Sequence, residues 1–338
     1  MCNSCGADGI LFFQWRQSVA GAEKFHSGML PHAGTETRVW REIEQLGKEL
    51  HSLGQITGSR VSASVAIVFD WDSWWSIEQQ AVPAEVPYIE GVSAWHRELY
   101  ERNIAVDFVR PTDDMSAYGL VIVPNMFVAT DQATGNLNTY VKDGGQLLVT
   151  YLTAVTDENA HISRGGYLGG LRETLGIWIE EFAPLATGER VGLGPIPATV
   201  DVTKAPISAA EGELWTEYVH LSGATTKAMF TSGALTDWPA LTRNETGSGA
   251  AWYLATMPEE KARGDLIEHL LDEAGIALAS IRPRPGVEVV MRGDYTFIIN
   301  HSAAETSVGL SGTDLLTGRP ADTVVLGMHE VAIVAARH

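Results

Sequence analysis

ADGILFFQWRQSVAGAEKFHSGM, residues 7–29, changes character part-way along. Behind Gly9 comes the apolar run Ile10-Leu11-Phe12-Phe13, which reads as a buried β-strand. A short apolar run after a turn residue suits a fully covered strand better than a helix. Polarity then rises abruptly through Gln14, Trp15, Arg16 and Gln17, and a Gly-containing loop carries Glu23 and His26. Polar and aromatic groups just past the C-terminal end of a buried strand are where α/β proteins place ligand contacts. Next, Val39, Ile43, Leu46, Leu50 and Leu53 recur at three- and four-residue steps within residues 35–54, predicting a helix. Thr35 or Thr37 can cap its start and Gly54 marks its end. The result is a strand–loop–helix unit that, standing alone, would expose most of its apolar surface.

Beyond a small, polar linker at residues 55–63, SVAIVFD reads as a buried strand ending in Asp70, followed by a loop with Trp71, Asp72, Trp74 and Trp75. Helical periodicity returns over 88–103, strands are expected at 105–109 and 119–123, a helix at 130–143, and a further strand in GGQLLVTYL. This β-α-β-α alternation predicts a doubly wound parallel sheet with helices on both faces. Residues 180–280 continue it with weaker strands, a convincing one at 249–256, and a helix at 264–276. After the punctuating RPRP at 282–285, strand and turn alternate to the end without helical pattern, predicting a small all-β domain.

With 338 residues the chain has room for two or three domains. A formal net charge of −19 argues against nucleic acid or an anionic membrane as partners through bulk charge, and is compatible with a neutral substrate. The two cysteines, Cys2 and Cys5, could be half a zinc site or a redox pair, but no second Cys/His cluster at suitable spacing follows. No metal and no cofactor is therefore expected. No apolar stretch reaches transmembrane length and no signal-peptide pattern opens the chain, so the expected location is cytoplasmic.

GADGILFFQWRQS, the Glu-x-x-His of Glu23 and His26, and HSGMLPHAG together resemble the last strand and loop of the catalytic barrel in family 42 glycoside hydrolases, the β-galactosidases. FDWDSWW at 69–75 and TDENAHISRGGYLGGLRETLGI at 156–177 extend the resemblance in the family's order. It implies the closing βα unit of a TIM barrel at residues 1–56 and a trimerisation domain with an amidotransferase-like, flavodoxin-like fold at 57–280. A β-sandwich-like end domain would occupy 281–338. A whole barrel takes about 250 residues, so the expectation is a C-terminal portion of such an enzyme, beginning inside the barrel. The family's two catalytic carboxylates lie on earlier barrel strands, and no catalytic residue is assigned here.

From spacing alone, Glu23 and His26 are either ligand-binding groups on one side of a turn or an exposed, solvated pair. The resemblance implies that they bind hydroxyls of the galactose ring of a galactoside substrate. It also places Phe13 and Trp15 at the aromatic positions lining that subsite, although barrel core is an equal reading for Phe13. Asp70 and Asp72 could imitate an acidic pair, but a strand-terminal Asp often just caps the next helix. Amidotransferase chemistry is excluded by composition: a cysteine nucleophile after a strand is required, and none follows Cys5. His161, Arg164 and Glu158 suit domain or subunit contact. Trp71, Trp74, Trp75 and Trp95 suggest an interface core, with packing inside the domain or against the barrel as the reading for about half of them, and with the resemblance a homotrimer. A rival reading is a non-catalytic assembly module that holds sugar weakly.

Overall fold

The computed structural model describes residues 4–79, 84–195, 205–278 and 281–336, and contacts divide the chain into Met1–Ser62 with Ala279–His338, and Ala63–Leu278. In the first of these units, helix α1 (Arg38–Ser52) starts where the Thr37 hydroxyl accepts the Trp40 N–H at 3.4 Å. None of its residues is fully buried. The expected strand at Ile10–Phe13 does not form, and Leu11 is 98% and Phe13 79% exposed. A strand needs neighbours to accept its N–H and C=O groups, and no described strand of the chain lies beside this run. Cys5 is an exposed free thiol, while Cys2 lies outside the described residues.

The second unit begins with β1 (Val65–Val68), α2 (Trp71–Ile77), α3 (Tyr88–Tyr100), β2 (Val106–Val109), β3 (Leu120–Val123), α4 (Asp131–Lys142) and β4 (Gln146–Thr150). The short α5 (Arg172–Leu175) leads to β5 (Ile177–Phe182), β6 (Val191–Gly194), β7 (Ala210–Glu213), β8 (Glu217–Leu221) and β9 (Thr225–Phe230). The unit ends with β10 (Pro239–Thr246), β11 (Gly249–Leu254), β12 (Met257–Pro258) and α6 (Glu260–Glu273). Ten strands form one sheet in the order β12-β7-β6-β9-β10-β11-β4-β3-β1-β2. The half from β11 to β2 is parallel, and the half from β12 to β10 is antiparallel. Every residue of β1 and β3 is buried, as the unbroken apolar runs require of strands covered on both faces. Between β10 and β11, Gly247 has φ 64° and a Cβ there would lie 2.4 Å from the Lys142 carbonyl oxygen, so only glycine turns this hairpin.

Asp70 accepts the Ser73 N–H at 2.9 Å and caps α2, the structural rather than the catalytic of its two expected roles. Of the four tryptophans, Trp95 takes the internal alternative and is buried in the core, because it falls on the inward stripe of α3 with Val92 and Leu99. Trp71 and Trp75 are 53% and 59% exposed, on α2.

The end sheet consists of β13 (Val287–Arg292), β14 (Tyr295–Asn300), β15 (Thr306–Asp314), β16 (Arg319–Leu326) and β17 (Val331–Ala335). They pair antiparallel in the order β13-β14-β17-β15-β16, as one sheet where a sandwich-like pair was expected. A register shift between Gly309 and Gly312 breaks the long β15; such an irregularity bends a strand. Val289, Ile298, Val308, Val324, Leu326, Ala332 and Val334, drawn from all five strands, then make one cluster without a second sheet. Side chains of opposite parity, Phe297 and Ile333, cover Leu53 and Ile56 just past α1.

One buried carboxylate in the second unit is exceptional. Glu217 opens β8 and is fully buried. Its Oε1 accepts the Leu152 N–H at 3.0 Å and the Trp215 indole N–H at 3.1 Å, and the Tyr253 hydroxyl closes on Oε2. Leu152, just past β4, holds a left-handed φ of 55° that this bond helps to fix. Burial pushes the Glu217 carboxyl from 4.5 up to about 7, against the pull of its three donors. The folded chain therefore keeps a proton that the unfolded chain releases. Stability from this group is complete below about 4.5 and falls as pH rises through about 7. Urea unfolding of the chain and of Glu217→Gln from about pH 5 to about pH 8 checks this. Relative to the variant, the wild type is expected to lose stability on the order of 3 kcal/mol across that range; a constant difference would refute the assignment.

Candidate sugar-binding loop

Residues 14–17 lie beside residues 29–32. The Leu30 N–H donates to the Trp15 carbonyl at 2.8 Å, the Gln17 N–H to the Leu30 carbonyl at 3.2 Å, and the Met29 N–H to the Gln14 carbonyl at 3.2 Å. Two side-chain amides complete the closure. Gln17 donates to the His26 carbonyl at 3.1 Å and accepts the His32 N–H at 2.8 Å, while Gln14 donates to the Ser27 carbonyl at 3.2 Å. The arms approach so closely that a Cβ on Gly28 would sit 2.7 Å from the Gln17 nitrogen. These bonds satisfy backbone groups of a loop that has no regular ladder to join.

The tip is a single 3-10 turn, Ala22–Phe25, closed by the His26 N–H donating to the Glu23 carbonyl at 2.9 Å. The His32 ring lies 3.1 Å from the Lys24 carbonyl and braces it. Glu23 and His26 are exposed, and their side chains make no hydrogen bond within the described residues. The Phe13 ring meets the His26 imidazole edge to face, centroids 6.1 Å apart. Trp15 meets Trp40 of α1 in the same manner at 5.7 Å. The structure thus brings Phe13, Glu23 and His26 to one end of the loop and places Trp15 on α1. A free carboxylate accepts hydrogen bonds from two hydroxyls, an imidazole donates or accepts, and aromatic rings cover apolar faces. Such a set suits a polyhydroxylated ligand.

The sequence places Gln14 and Gln17 in the polar cluster after the apolar run but gives no sign that they, with Trp40, hold this arrangement. The two glutamines, three residues apart around Trp15-Arg16, were visible, but their hydrogen-bond partners lie 9–15 residues away. Among the described residues, no group of three or more His, Cys, Asp or Glu side chains converges where a metal ion could bind. No described helix is long and apolar enough to cross a membrane.

Three family profiles match the chain in succession: "Beta-galactosidase" over residues 3–53, "Beta-galactosidase trimerisation domain" over 63–277, and "Beta-galactosidase C-terminal domain" over 286–335. A β-galactosidase from an Arthrobacter species is 42% identical over 98% of this chain and 46% of its own length. The β-galactosidase LacZ of Heyndrickxia coagulans is 39% identical over 97% of this chain and 49% of its own. The crystal structure of a Bacillus circulans β-galactosidase superposes with a TM-score of 0.92 at 30% identity, covering 99% of this chain and 50% of that one. The chain thus spans about half the length of the curated relatives it matches. Since one profile covers more than half of it and the likeness to these relatives runs nearly end to end, the chain belongs to the β-galactosidases of glycoside hydrolase family 42.

Proposed function

We propose that this chain is the C-terminal half of a retaining β-galactosidase and carries part of the subsite for a terminal β-D-galactosyl group. The observation that carries the reading is the braced loop tip, on which Glu23 and His26 stand exposed, their side chains unbonded, with Phe13 against the imidazole. Glu23 accepts hydrogen bonds from two ring hydroxyls, His26 exchanges one more, and Phe13 lines the sugar's apolar face, while Trp15, held on Trp40 of α1, belongs to the loop's support. Retaining hydrolysis needs a general acid and a nucleophilic carboxylate about 5–5.5 Å apart. We assign that pair to the part of the barrel outside this chain. Residues 1–56 are read as the closing βα unit of that barrel, with Ile10–Phe13 completing its ladder between barrel neighbours. Residues 57–280 are read as an amidotransferase-like domain without a nucleophile. The turn after β4 offers only Leu152, buried and left-handed, where such an enzyme would need a cysteine.

In an enzyme carrying this half and a complete barrel, Glu23→Ala and His26→Ala are each expected to lower kcat/KM for a galactoside roughly ten- to a hundred-fold, the worth of one charge-assisted hydrogen bond. Kinetics unchanged in both variants would return the pair to a solvated loop. The 338 residues alone are expected not to hydrolyse a chromogenic β-galactoside; turnover by pure chain would reveal an acid–nucleophile pair within it.

We also propose a homotrimer built mainly by residues 60–280. The exposed Trp71 and Trp75 pack on each other, Trp71 also meets Trp74, and together they offer an aromatic patch of the kind found at interface cores. A cyclic trimer repeats one heterologous contact three times. Sedimentation equilibrium is expected to give three times 36.5 kDa for the chain and a shift toward monomer for the Trp71→Ser, Trp75→Ser double variant. A monomeric wild type would remove the claim.

A further inference from the structure

Three stretches far apart in sequence meet at one side chain. Arg292, the last residue of β13, is wholly buried. Its Nε donates to the Ser59 carbonyl at 3.2 Å, its Nη1 to the Ala7 carbonyl at 3.0 Å, and its Nη2 is ion-paired with Asp8. Asp8 in turn accepts the Gly58 N–H, 3.2 Å from each of its oxygens. Nearby, the Gly293 N–H donates to the Arg60 carbonyl at 2.9 Å and the Tyr295 hydroxyl to the Gln55 carbonyl at 3.1 Å. A buried guanidinium left without its carboxylate is strongly unfavourable, so Arg292 draws Ala7 and Asp8 to a fixed place.

That place lies just ahead of the loop. Asp8 precedes Phe13 by five residues and Trp15 by seven. Residues 9–13 join no described strand, so their course is set by the attachments at their two ends. Fixing Ala7 and Asp8 therefore fixes the point from which the chain runs into Phe13 and Trp15. The second anchor point, residues 55–60, follows α1, whose Trp40 receives Trp15. The end sheet consequently grips the loop's support from both sides in sequence.

We propose that Arg292 is a positioning residue for the galactoside-binding loop: paired with Asp8, it fixes the start of residues 7–13 and the exit of α1, making the end sheet the rear support of Phe13, Trp15, Glu23 and His26. This rests on the reading of that loop as sugar-binding. The test uses the full-length enzyme with two mild variants. Arg292→Lys keeps the charge and removes the fork. Asp8→Asn changes a half-exposed residue and leaves the sheet's apolar cluster whole. Both are expected to speed amide hydrogen exchange across residues 9–32 while β14, β17 and residues 63–278 exchange as before. Both are also expected to lower kcat/KM roughly ten- to a hundred-fold through displacement of binding groups, mainly by raising KM. The double variant should lose little more than the worse single one, because the pair acts as a unit.

Wild-type exchange over residues 9–32 in Asp8→Asn, or unchanged kinetics in both variants, overturns the proposal. If Arg292→Lys does not fold, Asp8→Asn decides alone. The two readings fail differently. Silent Glu23→Ala and His26→Ala variants beside faster loop exchange in the Asp8 and Arg292 variants would remove the sugar assignment. Impaired Glu23 and His26 variants beside unaltered Asp8 and Arg292 variants would remove only the clamp.

Discussion

A strand exists only where neighbours complete its hydrogen-bond ladder, and this constraint governs the chain from one end to the other. β1, β3 and β4 are buried runs held between partners on both sides. The side chains of β1 and β3 can then be apolar throughout, and those of β4 apolar at Leu147, Leu148 and Val149, since the backbone polar groups are met inside the sheet. Ile10–Phe13 is likewise apolar but has no partner strand among the described residues, and Leu11, Phe12 and Phe13 stay exposed. Composition alone cannot separate these cases, because the deciding term is the neighbour.

Where ladders are missing, side chains supply the hydrogen bonds instead. The Gln14 and Gln17 amides close the loop, and Asp8 and Arg292 meet the backbone of residues 7, 58 and 59. In the larger unit, Glu217 serves the N–H of Leu152 at the sharp turn after β4. In each case a polar side chain stabilises a backbone segment that no sheet or helix can serve, at the cost of placing charge or amide in a confined position.

Elements with strong periodicity were legible in sequence. The helix over 35–54 appears as Arg38–Ser52 with Thr37 as its cap, and the strands at 105–109, 119–123 and 249–256 appear within those bounds. The parallel half of the sheet followed from the alternation of strand and helix. Its antiparallel extension through β6, β7, β9 and β10 did not, since these strands contain Gly, Thr and charged residues and depend on long-range pairing for their existence. Which of the four tryptophans would be internal was illegible for a related reason: closeness in sequence to Trp71 and Trp75 says nothing about which face of α3 Trp95 occupies. At the loop, the residues bearing free polar groups could be named beforehand. Their supports could not, because Arg292 is 284 positions from Asp8.

The unpaired Ile10–Phe13 run has a consequence for handling the chain. An apolar, β-prone and uncharged tetrapeptide with open N–H and C=O groups is a template for edge-to-edge pairing with its own copies. Such pairing has no closing symmetry, so it adds subunits without limit, whereas a ring stops at a fixed number. In a preparation of the chain by itself, rising concentration would favour growing aggregates nucleated at the N-terminal segment. A soluble peptide offering one complementary strand to that run would act as a cap on this growth.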